Sequence, residues 1–150
     1  MRNVIFILIL LLITTACDQG RIYDHEPDFS RPGMVARVSV ATSGSPAWPQ
    51  GYTLAVAGFE NGNDYALISK NVSPEPDGNC SVVLAGIPAS ASTVELCVID
   101  RLRRRIASFA SVEADPMADT IRIDAQGIDI SVSNFIQTSI FNTTCIQCHG

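Results

Sequence analysis

Histidine is scarce in this 150-residue chain, which carries only His25 and His149. No histidine stands between them, so a histidine-based catalytic triad in the body of the chain is excluded. The G-x-S-x-G elbow, the H-E-x-x-H pair, a Gly-rich phosphate loop and a calcium-loop pattern are all missing as well. Acid pairs such as Glu75 and Asp77 lie among turn residues, where solvation accounts for them. Methionine is sparse, with Met34 and Met117 the only ones beyond Met1. After the first 16 residues there is no long apolar run, and so no candidate membrane span. Lysine and arginine number 10 against 15 acidic residues, a net charge of -5. That balance argues against a nucleic-acid partner and against a polybasic membrane surface.

The N-terminus has a pattern of its own. Arg2 gives a positive start, and Val4 to Ile13 is an unbroken apolar run. The run is shorter than the roughly 20 residues a spanning helix needs. The small residues Thr14, Thr15 and Ala16 follow, then Cys17. Positive start, short apolar centre and small residues are the three parts of a secretory signal. The stretch resembles the bacterial lipoprotein signal, whose small-residue box ends at the cysteine that receives diacylglycerol. Thr14 stands where that family usually has leucine. The resemblance implies that residues 1–16 are removed. Cys17 would then be the lipidated first residue of an envelope lipoprotein, held by the membrane on the periplasmic or cell-surface side. Thioether attachment would also remove an exposed, reactive thiol. An ordinary signal peptide cut nearby, or a short buried helix, is the alternative. The polar stretch from Asp18 to Gly33, with Pro27 and Pro32, reads together with Cys17 as a tether, residues 17–33. Loss of Arg2 with the signal would take the net charge from -5 to about -6.

Residues 34–132 have the texture of an all-β domain. Short runs rich in Val, Ile, Leu and Thr alternate with Gly, Pro, Asn, Asp and Ser clusters. Strands are expected near Val35–Thr42, Thr53–Glu60, Tyr65–Ser69, Ser81–Ala85, Thr93–Asp100, Arg105–Val112, Thr120–Asp124 and Ile128–Val132. Period-two alternation puts Val38, Val40, Leu54, Val56, Val82, Leu84, Val94, Leu96, Val98, Ile106, Ile121 and Ile123 inward. Such spacing predicts a two-sheet antiparallel β-sandwich. In texture it resembles the immunoglobulin-like and transthyretin-like modules of bacterial envelope lipoproteins. The Cys…Trp…Cys order of true immunoglobulin domains is missing, because Trp48 precedes both Cys80 and Cys97. Those two cysteines flank an expected hairpin, and an exported protein permits a disulfide between them. Alternation places their side chains on different faces, which favours two unpaired thiols. Arg101, Arg103, Arg104 and Arg105 crowd one turn, which could grip lipid phosphates or haem propionates; a solvated hairpin tip is the simpler reading. Trp48 and Tyr52 are either an aromatic ligand edge or the cover of an open sandwich end.

The chain closes on Cys145-Ile146-Gln147-Cys148-His149-Gly150, the C-x-x-C-H pattern of c-type haem attachment. On a helical turn, cysteines three apart point to one side, where each thiol can meet one porphyrin vinyl group. The adjacent histidine then lies under the iron. Ser131 or Ser133 can cap a helix over residues 134–144, on which Phe141, Cys145 and Cys148 fall at i, i+4 and i+7. Residues 133–150 thus resemble the opening of a cytochrome c domain. The resemblance implies haem c as cofactor, Cys145 and Cys148 as its thioether anchors and His149 as the proximal iron ligand. In that family a downstream Met or His binds the sixth position, and here only Met34, Met117 and His25 are spare. The expectation is therefore the N-terminal part of a longer haem lipoprotein. It would act as an electron carrier or haem-bearing accessory protein of the envelope, with another redox protein as partner, and whether it is an enzyme stays open. Three other readings stay open. A zinc site would need a fourth ligand. A C-x-x-C thiol pair is a second possibility. A non-enzymatic binding or adhesion sandwich with a vestigial C-x-x-C-H is the third.

Overall fold

Alternating apolar residues translate into seven strands, seen in a computed structural model that describes residues 33–118 and 120–149. They are β1 (Met34–Ser43), β2 (Tyr52–Phe59), β3 (Ile68–Asn71), β4 (Asn79–Ile87), β5 (Thr93–Asp100), β6 (Arg105–Glu113) and β7 (Ile121–Asp129). One sheet has the order β4-β1-β7 and the other β3-β2-β5-β6. The two face each other across a shared core, so the expected all-β sandwich is the fold. The expected signal, Cys17, the tether and His25 lie outside the described residues.

Three local features differ from the sequence reading. The β1–β7 pairing is parallel, with Ala36 opposite Ile121 and Ser43 opposite Asp129. All other strand pairs are antiparallel. The two short strands expected over residues 120–132 are a single strand, β7. A bulge at Gln126-Gly127 hides its continuity, since Val40 pairs with Ala125 and Thr42 with Ile128. Gly127 sits at φ +69°, where a residue without Cβ carries no steric penalty. The third strand starts later than expected, at Ile68, and Tyr65 makes only an isolated bridge to Arg104.

The inward residues follow the alternation. Val38, Val40, Leu54, Val56, Leu84, Val94, Leu96, Val98, Ile121 and Ile123 are buried in the main core, and Val82 and Ile106 pack against it half-buried. Alternation alone does not explain the second sheet, however. β2 and β5 are buried on both faces, and Ala55, Ala57, Phe59, Ala66, Cys97 and Ile99 form a second, smaller cluster on the outer side. The segment between β2 and β3 covers it. Ala66 N–H donates to Arg103 O at 3.0 Å, and Arg105 N–H donates to Asp64 O at 2.8 Å.

That cover is fastened by one side chain. Arg105 donates to Glu95 Oε1 at 2.6 Å and to Asp64 Oδ1 at 2.8 Å. Its guanidinium lies 4.9 Å from the centre of the Phe59 ring. Thr93 Oγ1 also donates to Glu95 Oε1, at 3.2 Å. Arg105 is therefore not part of the solvated tip expected for the arginine cluster; it turns back onto the sheet.

Leu96 lies at the centre of the main core and is fully buried. Leu96→Ala should lower the free energy of unfolding by about 2–5 kcal/mol, through lost burial and an incompletely filled cavity. Urea denaturation followed by circular dichroism measures it.

Candidate cofactor-attachment site

The C-terminal helical run begins where the sandwich ends. α1 spans Val132–Ile136, and Ser131, one of the two expected caps, is its N-cap. Ser131 Oγ accepts from Asn134 N–H at 3.2 Å. Asp129 Oδ1 in turn accepts from Ser131 N–H at 2.9 Å, and this contact holds the Asp129 carboxyl below its usual range. Asn134 Nδ2 donates back to Asp129 O at 2.9 Å. A short helix gains little from propensity alone, so tertiary contacts must hold its first turn.

Trp48 supplies those contacts. Its indole N–H donates to Ile130 O at 3.0 Å. Its ring meets Phe109 of β6 edge-on at 6.2 Å and Phe135 of α1 at 5.7 Å. Of the two sequence readings for this aromatic residue, covering the sandwich end is the one seen. Tyr52, by contrast, is exposed.

Beyond Ile136 the helix widens. Gln137–Cys145 is π-helical, and α2 (Ile146–His149) follows. Ile146 N–H reaches five residues back to Phe141 O. The cause lies in the side chains. Thr138 Oγ1 donates to Asn134 O at 2.8 Å, and Thr143 Oγ1 donates to Ser139 O. A hydroxyl seated on the carbonyl four residues back competes with the backbone amide for it, which favours the wider turn. Gln137 Nε2 donates to Asn142 Oδ1, also five residues on, at 2.9 Å. The expected uniform α-helix over residues 134–144 is thus corrected. Phe141, Cys145 and Cys148 are not spaced along one α-helix, because the wide turn ends at Cys145 and Cys148 belongs to α2.

Large apolar side chains along this helical run are exposed. Ile136, Ile140, Phe141 and Ile146 are all exposed, Phe141 by 52% and Ile146 by 58%. Cys145 lies among them, half-buried and unpaired. Cys148 and His149 fall in α2, and their side chains lie outside the described residues. Exposed large apolar residues are costly in water, and here they flank the C-x-x-C-H run in the sequence.

The other two thiols in the described residues are far from that chemistry. Cys80, on β4 of the first sheet, is buried in the main core, Cys97, on β5 of the second, lies in the outer cluster, and both are free. Burial pushes the Cys97 thiol up to about 12, with the Glu95 charge adding to the effect and Arg105 opposing it. Burial also raises Cys80, helped by the charge on Glu75. Neither thiol ionises near neutral pH, so neither competes as a nucleophile. Among the described residues, no group of three His, Cys, Asp or Glu side chains converges as a metal site.

The Cys97 shift has a consequence for stability. The folded protein keeps this proton where the unfolded chain, with a thiol near 9.0, releases it. Its contribution to stability is intact below pH 9.0 and is lost as pH rises toward about 12. The loss should run at about 1.4 kcal/mol per pH unit, and Cys97→Ala should flatten the slope. Urea unfolding at a series of alkaline pH values, on wild type and variant side by side, tests this.

No protein-family model matches this chain, and no curated protein matches it.

Proposed function

We propose that this protein is a lipid-anchored envelope lipoprotein whose C-terminal helix carries a c-type haem for electron transfer. The observation that carries the reading is the exposed apolar surface at Ile140, Phe141 and Ile146, which lie within five residues of Cys145 of the C-x-x-C-H motif. A porphyrin is a broad apolar plate, and these side chains suit its surface. Cys145 and Cys148 would hold the group through thioethers, each thiol adding across one vinyl group with its proton going to the other vinyl carbon, and His149 would ligate the iron. Bound in this way, haem supplies reversible one-electron exchange. Trp48, Phe135 and the Ser131 cap hold the first turn of the helix to the sandwich end, which would fix the direction in which the site leaves it. The redox partner is another protein.

Expression with haem-maturation machinery tests the site. The wild-type band should stain for haem after denaturing electrophoresis, because only a covalent group survives it. Cys145→Ala combined with Cys148→Ala should remove the stain. An unstained wild type would reject haem and leave the sandwich as the working part.

The anchor rests on the apolar run, the small residues and Cys17. Cys17→Ser should shift the protein from the membrane fraction to the soluble fraction and abolish labelling by a lipid precursor. Membrane retention without lipid in both forms would refute it.

A further inference from the structure

The hairpin between β5 and β6 ends in Arg101-Leu102-Arg103-Arg104, and its shape is tightly specified. Asp100 Oδ1 accepts from Leu102 N–H and from Arg104 N–H, both at 2.8 Å. Arg103 N–H donates to Asp100 O at 2.9 Å. Arg103 stands at φ +64°, the one non-glycine residue with positive φ among those described. Glycine adopts that conformation freely, whereas a residue with a Cβ is strained in it. An arginine kept at such a position points to a use for the side chain it presents.

The surroundings show which use. Asp100 is committed to holding the turn, and the nearby Asp64 is paired with Arg105. Among the described residues, Arg101, Arg103 and Arg104 have no carboxylate partner. Counted among the described residues, the tip thus carries three unpaired positive charges on a chain whose net charge is -5. At its apex Leu102 is 73% exposed. Tyr52, lining the same shallow depression as Arg101 and Leu102, is exposed on one side. Tyr65, bridged to Arg104, is exposed on the other.

We propose that this tip is a binding element for an anionic bilayer surface. The three guanidinium groups take lipid phosphates, Leu102 enters the boundary of the acyl chains, and Tyr52 and Tyr65 lie at headgroup level. Arginine beside an apolar apex, flanked by tyrosine, is the chemistry of a membrane interface. An acidic protein would account for the arginines but not for a largely exposed apolar residue among them. The acidic remainder of the chain is repelled by the same surface, so the tip also sets the orientation in which the protein approaches. The proposal does not depend on haem or on the Cys17 anchor.

The test uses the chain from Arg31, the start of the compact unit that contains both clusters of buried residues and has no anchor of its own. Co-sedimentation is measured with vesicles of phosphatidylglycerol in phosphatidylcholine, and with phosphatidylcholine alone. Binding is expected only to the anionic vesicles. Replacing Arg101, Arg103 and Arg104 together by Gln should weaken it about a hundredfold, roughly fivefold for each charge removed. Leu102→Ser should weaken it several-fold with all the charges retained. Circular dichroism and Tm should stay at wild-type values, because all four side chains are exposed. Equal binding by the triple variant would overturn the proposal. Insensitivity to Leu102→Ser, together with displacement by soluble polyglutamate, would assign the tip to an acidic protein and overturn it as well.

Discussion

A single carboxylate buried on the outer side of a sheet governs much of this structure. Glu95 is only 3% exposed, yet it sits on the face that a sandwich normally turns to water. A charge in that position is tolerable only if a partner comes to it. Arg105 is that partner, and its reach is what draws the rest together. In meeting Glu95 it lies over Phe59 and captures Asp64. That brings the segment after β2 down onto Ala55, Ala57, Cys97 and Ile99. Glu95 Oε2 still has no hydrogen-bond partner among the described residues. The pair is thus better suited to specifying one arrangement of loop and hairpin than to adding net stability.

The inner core was legible in the sequence because its signal is local. Every residue expected inward by period-two alternation faces the core, since a strand with one wet face must alternate. The outer cluster was not legible for the same reason. Glu95 and Cys97 alternate with Val94, Leu96 and Val98 and so read as solvent-facing. What buries them is a segment some 30 residues earlier, which no local pattern reports. The arginine cluster shows the same limit. Four arginines within five positions look alike in the sequence, yet Arg105 closes the fold while the other three stay in solvent.

At the C-terminal helix the cap was legible and the winding was not. Ser131 and Asn134 have the chemistry of a helix start, and the structure uses it. The wide turn arises from two threonine hydroxyls competing for carbonyls. A residue-by-residue helix propensity does not carry that competition. The junction at Trp48 joins residues more than 80 positions apart; its part as a cover for the sandwich end was legible in the sequence, but the helix it holds there was not. It makes the sandwich more than a spacer, because the direction in which the helix leaves is set by the sandwich end.

The parallel pairing of β1 with β7 bears on how the chain assembles. β1 is the central strand of its sheet, but its two neighbours arrive at very different times during synthesis. β4 starts 45 residues after the start of β1 and β7 only 87 residues after it. Until β7 arrives, one edge of β1 presents a row of unpaired amides and carbonyls, a template for a stray strand. Closing so long a loop is slow, because its entropy must be lost before the contacts are gained. The second sheet closes over shorter separations, the longest being the 41 residues between the starts of β2 and β5. Its β5–β6 hairpin, with β2 alongside, is positioned to form first and to serve as the floor on which the other sheet is completed. Folding would then finish at the C-terminal strand, immediately before the helix that bears Cys145.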